Sequence, residues 1–376
     1  MSKSIFILGG SGNTGEKIAQ LLLDYSDVRI VLGARNEEKL SQSAEKLNET
    51  ARINWVSVDA SDAHSLSSAF SGMDMVVSAG STAQFTENVV MACIEVGCDY
   101  LDVHYSTSKV RMLKSMMADM ENSGNCFISE AGFHPGLPAA LVRYADAQMD
   151  ILESAITAGV INGDWSDVTM TEATKTEFIK ELNDYEMRFL KNGVWKVPGF
   201  WSMKDFPTID FRKPAGEKMC VPMFFEELRD LPKRIPSLKN TGFYIAGFGW
   251  FADYIVMPIV LFMMKLFPNL MAKPMGNLFA WGWKVSSKPP YYTMLKVEAQ
   301  GKKNDKDTSF EMTLSHEDGY DFTAIPVMAC LLQYLDGSIQ KPGLHWMGQL
   351  VEPVRLIADM EKMGIVMKTE NVKTES

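Results

Sequence analysis

Short apolar runs alternate with amphipathic stretches through the first third of the chain. Runs at 4–8, 28–33, 53–58, 75–79, 99–103 and 125–129 have strand length and are rich in Ile, Val and Leu. Such uninterrupted apolar runs suit strands buried on both faces. Between them, 13–25, 36–48, 62–70, 84–97 and 108–122 carry helical spacing of apolar residues. Six strands with five helical crossovers predict a doubly wound parallel sheet. Ligands of such a sheet gather at the carboxyl ends of its strands. Those ends carry Gly9 to Gly15, Arg35, Asp59-Ala60, Ser78-Ala79-Gly80, Asp102-Val103-His104 and Glu130-Ala131-Gly132.

The pattern changes after about Ala131. A helix is predicted over 137–150. Strands are predicted over 154–162 and 167–173 about a Gly163-Asp164 turn, then a helix over 174–192. An Asn192-Gly193 turn leads to another short strand, and strands recur at 243–247, 292–300 and 308–315. This is an inserted α+β domain with a mainly antiparallel sheet. An amphipathic helix over 351–363 returns to the first domain, and the polar end 368–376 reads as frayed. The expected domains are 1–131, with about 345–376 returning to it, and 132–344.

One stretch, 254–283, is far more apolar than its surroundings. Its charge-free part, 254–264, lies between Asp253 and Lys265 and contains Pro258. A spanning helix needs about 20 apolar residues. The stretch is therefore expected to be a buried helix or dimer contact, an apolar substrate mouth, or a peripheral membrane or lipid contact.

The loop Gly9-Gly10-Ser11-Gly12-Asn13-Thr14-Gly15 satisfies G-x-G-x-x-G between a strand and a helix, the dinucleotide fingerprint of the Rossmann fold. Gly10 is expected to make the tight turn, Gly12 to admit a pyrophosphate, and Gly15 to let helix and strand pack closely. Ser11, Asn13 and Thr14 complete the phosphate cradle at the helix start. The second strand ends in Ala34-Arg35-Asn36. An NAD site would place a carboxylate there for the ribose 2′-hydroxyl, whereas a guanidinium pairs with a 2′-phosphate. Arg35 thus favours NADP over NAD. Asp59, Ala60, Ser78, Ala79, Gly80 and Glu130 are the further cofactor candidates, with Gly80 placed for close backbone approach.

Composition narrows the classes. The formal net charge is −10, which opposes nonspecific nucleic-acid binding. The five cysteines form no C-x-x-C, and the five histidines show no metal spacing. A reducing cytoplasm and no metal are expected. The chain runs directly into its first strand, so no leader peptide is expected.

Three stretches resemble the saccharopine dehydrogenase-like family of NAD(P)-dependent oxidoreductases. They are the glycine loop, Ala92 to Asp102, and Glu130-Ala131-Gly132-Phe133-His134-Pro135-Gly136-Leu137-Pro138. The last is similar to the family's E-x-G-x-x-P-G loop. The resemblance covers the first domain well and the second loosely. It implies a Rossmann domain, an α+β substrate and dimerisation domain, a homodimer, and hydride transfer with a nicotinamide cofactor. Family members that handle amino acids typically read L-D-P-G-I-D in that loop. Here His134 replaces the first acid and Ala139 follows Pro138. The loop suits an ammonium group less well and points to a small or apolar, lipid-like carbonyl or alkene.

His134, His104, Tyr105 and Asp102 are the candidates for proton transfer. His134 ranks first, because imidazole titrates nearest to neutrality. Two alternatives stand. Tyr105-Ser106-Thr107-Ser108-Lys109 fits the Y-x-x-x-K of an atypical short-chain dehydrogenase. The chain could also bind NADP(H) as a sensor or scaffold without turnover.

Overall fold

The structure is a computed structural model that describes residues 2–48, 51–164, 185–198, 206–247 and 255–373. The chain divides into two compact units: Met1–Ala140 with Tyr320–Met363, and Leu141–Gly319 with Gly364–Ser376.

In the first unit, strands β1 (Ser4–Leu8), β2 (Arg29–Ala34), β3 (Ile53–Ser57), β4 (Met75–Ser78), β5 (Asp99–Asp102) and β6 (Cys126–Ser129) alternate with helices. The helices are α1 (Asn13–Tyr25), α2 (Glu37–Leu47), α3 (Ala63–Phe70), α4 (Thr86–Val96), α5 (Thr107–Ser115) and α6 (Met117–Ser123). The stretch expected as one helix over 108–122 is two, broken at Met116. Every residue of β1 is buried, as a central strand of a doubly covered sheet requires. Phe6 meets Phe70 edge to face at 5.0 Å between ring centroids, in a core that also holds Val76, Tyr100 and Phe127. Each such side chain stabilises the fold by about 1.5–3 kcal/mol.

Helix α7 (Leu137–Asp146) leads into the second unit. Its strands are β7 (Ile151–Asn162), β8 (Phe189–Lys191), β9 (Val194–Lys196), β10 (Thr208–Asp210), β11 (Glu217–Met223), β12 (Asn240–Ala246), β13 (Tyr292–Lys303) and β14 (Lys306–His316). Helices α8 (Met257–Leu266) and α9 (Pro268–Ser286) lie between β12 and β13. The chain then adds α10 (Gly319–Leu335), β15 (Gly343–Trp346) and α11 (Pro353–Lys362) to the first unit and ends in β16 (Val366–Lys373) in the second.

The first sheet is wholly parallel and runs β15-β6-β5-β4-β1-β2-β3. It has seven strands where the sequence pattern gave six. The extra strand, β15, is four residues long and pairs with β6 from the far end of the chain. The second sheet runs β10-β11-β12-β7-β13-β14-β16, with β8 and β9 attached to β12. It is antiparallel except where β12 pairs with β7.

Three sequence expectations change here, and one lies outside the described residues. Residues 185–192 do not end a helix: β8 and β9 form a hairpin about Asn192 (φ 53°) and Gly193 (φ 76°). Two successive left-handed residues make the tight hairpin turn that Asn-Gly favours. The strand expected at 167–173, and the helix from 174 to 184, lie outside the described residues. The polar end is not frayed through 373, because β16 pairs along β14 through its backbone whatever its side chains. The return to the first unit begins at Tyr320, earlier than 345. Helix α10 is buried nearly all round, so no polar stripe revealed its period.

Candidate cofactor and active site

The glycine loop is folded by its own backbone. The N–H groups of Gly9 and Gly10 both donate to the Gly33 carbonyl, at 2.7 and 3.1 Å. The left-handed residue of the turn is Gly9 (φ 88°). A Cβ on Gly9 would lie 2.4 Å from the Gly80 Cα, and one on Gly15 would lie 2.2 Å from the Gly9 carbonyl oxygen. Gly10 is confined by the Leu32 Cβ, 2.9 Å from where its own would stand. Gly12 differs. It is exposed, and its only close neighbour is the Gly9 carbonyl oxygen at 3.2 Å. Gly12 is also the N-cap of α1 and offers no side-chain acceptor to the first turn. A helix start without a side-chain cap, beside a packed backbone cradle, fits a phosphate ligand. Asn13 is exposed and Ser11 and Thr14 are half-buried at the same end.

Arg35 follows β2 directly and is exposed. Next to it, Asn36 caps α2 by accepting from the Lys39 N–H at 2.9 Å. Asp59, beyond β3, accepts from the Ser61 N–H at 2.9 Å and its hydroxyl at 2.8 Å. Those bonds, and then the positive charge of Arg35, hold the Asp59 carboxyl below its usual range. Ala60 is buried, and its carbonyl accepts from Asn88 Nδ2 at 3.2 Å. On β4, the buried Ser78 hydroxyl lies 3.0 Å from that of Thr82, and the Ala79 N–H donates to Leu8 at 2.9 Å.

The proton-transfer candidates fall into two groups. Asp102, His104 and Lys109 form one network with Ser129. Lys109 Nζ reaches Asp102 Oδ1 at 2.5 Å, the His104 carbonyl at 2.6 Å and Ser129 Oγ at 2.9 Å. Ser129 donates to Asp102 Oδ2 at 2.7 Å, and the His104 N–H to Asp102 Oδ1 at 3.0 Å. Burial alone would raise the Asp102 carboxyl. The charge of Lys109, with hydrogen bonds from Lys109 and Ser129, brings it below its usual range instead. Asp102 is thus a fixed anion and not a proton donor.

All three protons of the Lys109 ammonium have acceptors in this network. Tyr105 itself is half-buried at the end of β5.

His104 Nε2 lies 2.5 Å from the Gly80 carbonyl oxygen. A carbonyl only accepts, so Nε2 carries the proton. The buried Nδ1 has no hydrogen-bond partner among the described residues and stands 4.0 Å from Asp102 Oδ1. Burial pushes the His104 imidazole below its ordinary value, although Asp102 pulls the other way. The ring is a neutral strut between β5 and the loop after β4.

His134 stands apart, on the loop from β6 to α7. Glu130 opens that loop buried and left-handed (φ 57°). Gly136 (φ 120°) closes it, where a Cβ would lie 2.7 Å from Glu130 and Gly132 backbone oxygens. The His134 ring is 4.1 Å from that of Phe133, which stacks on Phe322 at 4.7 Å. Burial pushes His134 down to about 4. The sequence argument expected titration near neutrality. The packed aromatic surroundings disfavour the charged ring and keep it neutral there.

Sequence reasoning missed Ser129. Ser129 is the last residue of β6, level with the site, but a lone serine in an apolar run carries no signal of its own.

Comparison with known proteins agrees with this geometry. Residues 5–125 match the saccharopine dehydrogenase NADP binding domain. Carboxyaminopropylagmatine dehydrogenase of Synechocystis is 26% identical over 257 residues, covering 63% of this chain and 60% of that protein. The chain therefore matches less than two thirds of that curated relative's length. The solved saccharopine dehydrogenase (L-Glu forming) of Saccharomyces cerevisiae aligns over 99% of this chain and 100% of its own. Its TM-score is 0.68 at 15% identity, a likeness of fold. The glycine cradle, the start of α1 and Arg35 all fall inside residues 5–125, the segment that matches the saccharopine dehydrogenase NADP binding domain.

Proposed function

We propose that the protein is an NADP-dependent oxidoreductase acting on a small or apolar carbonyl or alkene, or on its reduced counterpart. The observation that carries the reading is the exposed start of α1 at Gly12, without a side-chain cap, next to the Gly9–Gly15–Gly80 backbone cradle. Gly10 to Gly15 hold the pyrophosphate and Arg35 holds the 2′-phosphate. When bound, NADP supplies or accepts a hydride.

The chain's own residues do the rest. His104 fixes the Gly80 loop, and Asp102, Lys109 and Ser129 fix β5 against β6. His134, neutral at pH 7, accepts a proton or hydrogen bond from a substrate hydroxyl. In the opposite direction it is a poor acid, since so little of it is protonated at neutrality. The only carboxylate between Glu130 and Pro138 is the buried Glu130, which leaves this loop without an exposed anion for a substrate ammonium. That favours a less polar substrate. Among the described residues no helix is long and apolar enough to cross a membrane. Peripheral contact of 254–283 with a lipid surface belongs to the same reading.

The test is NADPH oxidation with a panel of aldehydes, ketones and enones, beside a direct titration of NADPH binding. Turnover of apolar members supports the reading. Saturable binding without turnover on any member replaces it with a sensor.

A further inference from the structure

Helices α8 and α9 form a hairpin with its own small core. Val256, Val260 and Met264 on one arm pack with Phe279 and Trp283 on the other. The arms cross closely at Gly282, where a Cβ would lie 2.7 Å from Val256. This seam uses one side of each helix. The other side stays apolar and exposed. On the first arm, Ile255, Ile259, Phe262 and Leu266 recur at intervals of three and four, a single helical stripe. On the second arm, Leu270, Trp281 and Val285 share a stripe with Lys273 and Lys284. Phe262 is 58% exposed, Leu270 72% and Trp281 53%. A soluble surface seldom gathers so many large apolar side chains in one place.

Charge separates the possible occupants. From Tyr254 to Pro290 there are four lysines (265, 273, 284 and 288) and no Asp or Glu, in a chain of net charge −10. Lys273, Lys284 and Lys288 are exposed. A second copy docking by two-fold symmetry would bring this face, with lysines and no acids, against the same face, and the like charges cost affinity. An anionic bilayer surface takes both parts: the apolar stripe enters the headgroup boundary, and the lysines lie along the headgroups. We propose that the outer face of the α8–α9 hairpin docks on an anionic lipid surface. The inference rests on reading 254–283 as a lipid contact and adds the sign of the lipid and the residues that read it.

Co-sedimentation with vesicles tests it, using phosphatidylcholine alone and phosphatidylcholine mixed with phosphatidylglycerol, at low and at about 0.5 M salt. The full chain is expected to bind the anionic vesicles about 10-fold or more tightly than the neutral ones, with the preference lost at high salt. Lys273→Glu with Lys284→Glu removes the preference and leaves weak binding to both. Phe262→Asp with Leu270→Asp abolishes both. All four side chains are exposed, so melting temperatures should stay near wild type. Equal binding of wild type to both vesicles overturns the anionic assignment and leaves the lipid contact standing. Binding to neither overturns both. A wild-type dimer that Phe262→Asp with Leu270→Asp splits, with no vesicle binding, gives the face to a second copy instead.

Discussion

His104 Nε2 donates to the Gly80 carbonyl oxygen over 2.5 Å, so the end of β5 sets the shape of the loop that follows β4. That loop meets the glycine turn backbone to backbone at Gly9. His104 therefore acts on the cofactor site through Gly80. Replacing it with Phe removes one hydrogen bond, about 0.5–1.5 kcal/mol. NADPH binding by fluorescence titration should weaken about 3–10-fold. His104→Gln, which keeps a donor, should recover part of that. Unchanged affinity in the Phe variant would show that the Gly80 loop does not bear on the cofactor.

The Asp102–Lys109 pair is buried and fully satisfied, which sets the sign of its variants. Lys109→Met strands a carboxylate in the core and should cost about 3–5 kcal/mol in urea unfolding. Adding Asp102→Asn should restore part of the loss, because the uncompensated charge is then gone. A short-chain dehydrogenase lysine would behave otherwise, with kcat collapsing in a protein of normal stability.

Much of this was legible in the sequence, for physical reasons that differ by element. The strands β1 and β4 to β6 are short runs buried on both faces, so their composition marks them without any periodicity. The crossovers α1 to α4 are amphipathic, so theirs does. The glycine loop was legible because three constraints coincide in seven residues. What stayed hidden was non-local. The turn residue is Gly9 because Gly80, far along the chain, leaves no room for a Cβ. Spacing offered Lys109 as a partner of Tyr105 but could not show that Asp102 and Ser129 hold its ammonium. Strand β15 pairs with a strand more than two hundred residues earlier, and four residues carry too little pattern to announce that. His134 looked like a neutral-pH acid because the sequence does not show that Phe322, from a distant helix, stacks on the Phe133 ring beside it.

The loop glycines should separate into two kinds. Gly9→Ala and Gly15→Ala force a Cβ within 2.4 and 2.2 Å of backbone atoms, and Gly9 is left-handed besides. Both should lower the melting temperature by several degrees, as a loss of about 1–3 kcal/mol requires. Gly12→Ala meets only one atom, at 3.2 Å, in an exposed position. It should melt within about 1–2 °C of wild type and still bind NADPH poorly. If Gly12→Ala binds normally, the phosphate does not approach there.

The low His134 value makes an acid-side prediction. Unfolded, the imidazole titrates near 6.5, and folded at about 4. Between those values the unfolded chain holds a proton that the folded chain does not, so stability falls as pH falls through that window. Below about 4 both states are protonated and this contribution changes no further. Comparing urea unfolding of wild type and His134→Gln at stepped pH isolates the residue. The wild type should lose about 1–3 kcal/mol more than the variant between pH 6.5 and 4. Parallel pH curves would mean that the ring is hydrated when folded.

In the proposed function, Arg35 decides which cofactor is preferred. It is exposed at the end of β2, where a 2′-phosphate would lie in a dinucleotide site of this topology. Nearby Asp59 is ionised, turned onto Ser61 and sensitive to the Arg35 charge. In the proposed NADP complex, loss of Arg35 leaves the negative charge of Asp59 with nothing to offset it. Arg35→Ala thus removes an attraction and uncovers a repulsion. NADPH affinity should fall by about 1.5–3 kcal/mol, roughly 10- to 150-fold, and NADH affinity should change little. Arg35→Lys keeps the charge but not the forked geometry and should fall between. The double variant Arg35→Ala with Asp59→Ala distinguishes the two parts. If Asp59 contributes repulsion, the double variant binds NADPH better than Arg35→Ala alone. Equal wild-type affinities for NADPH and NADH would remove the role of Arg35 altogether.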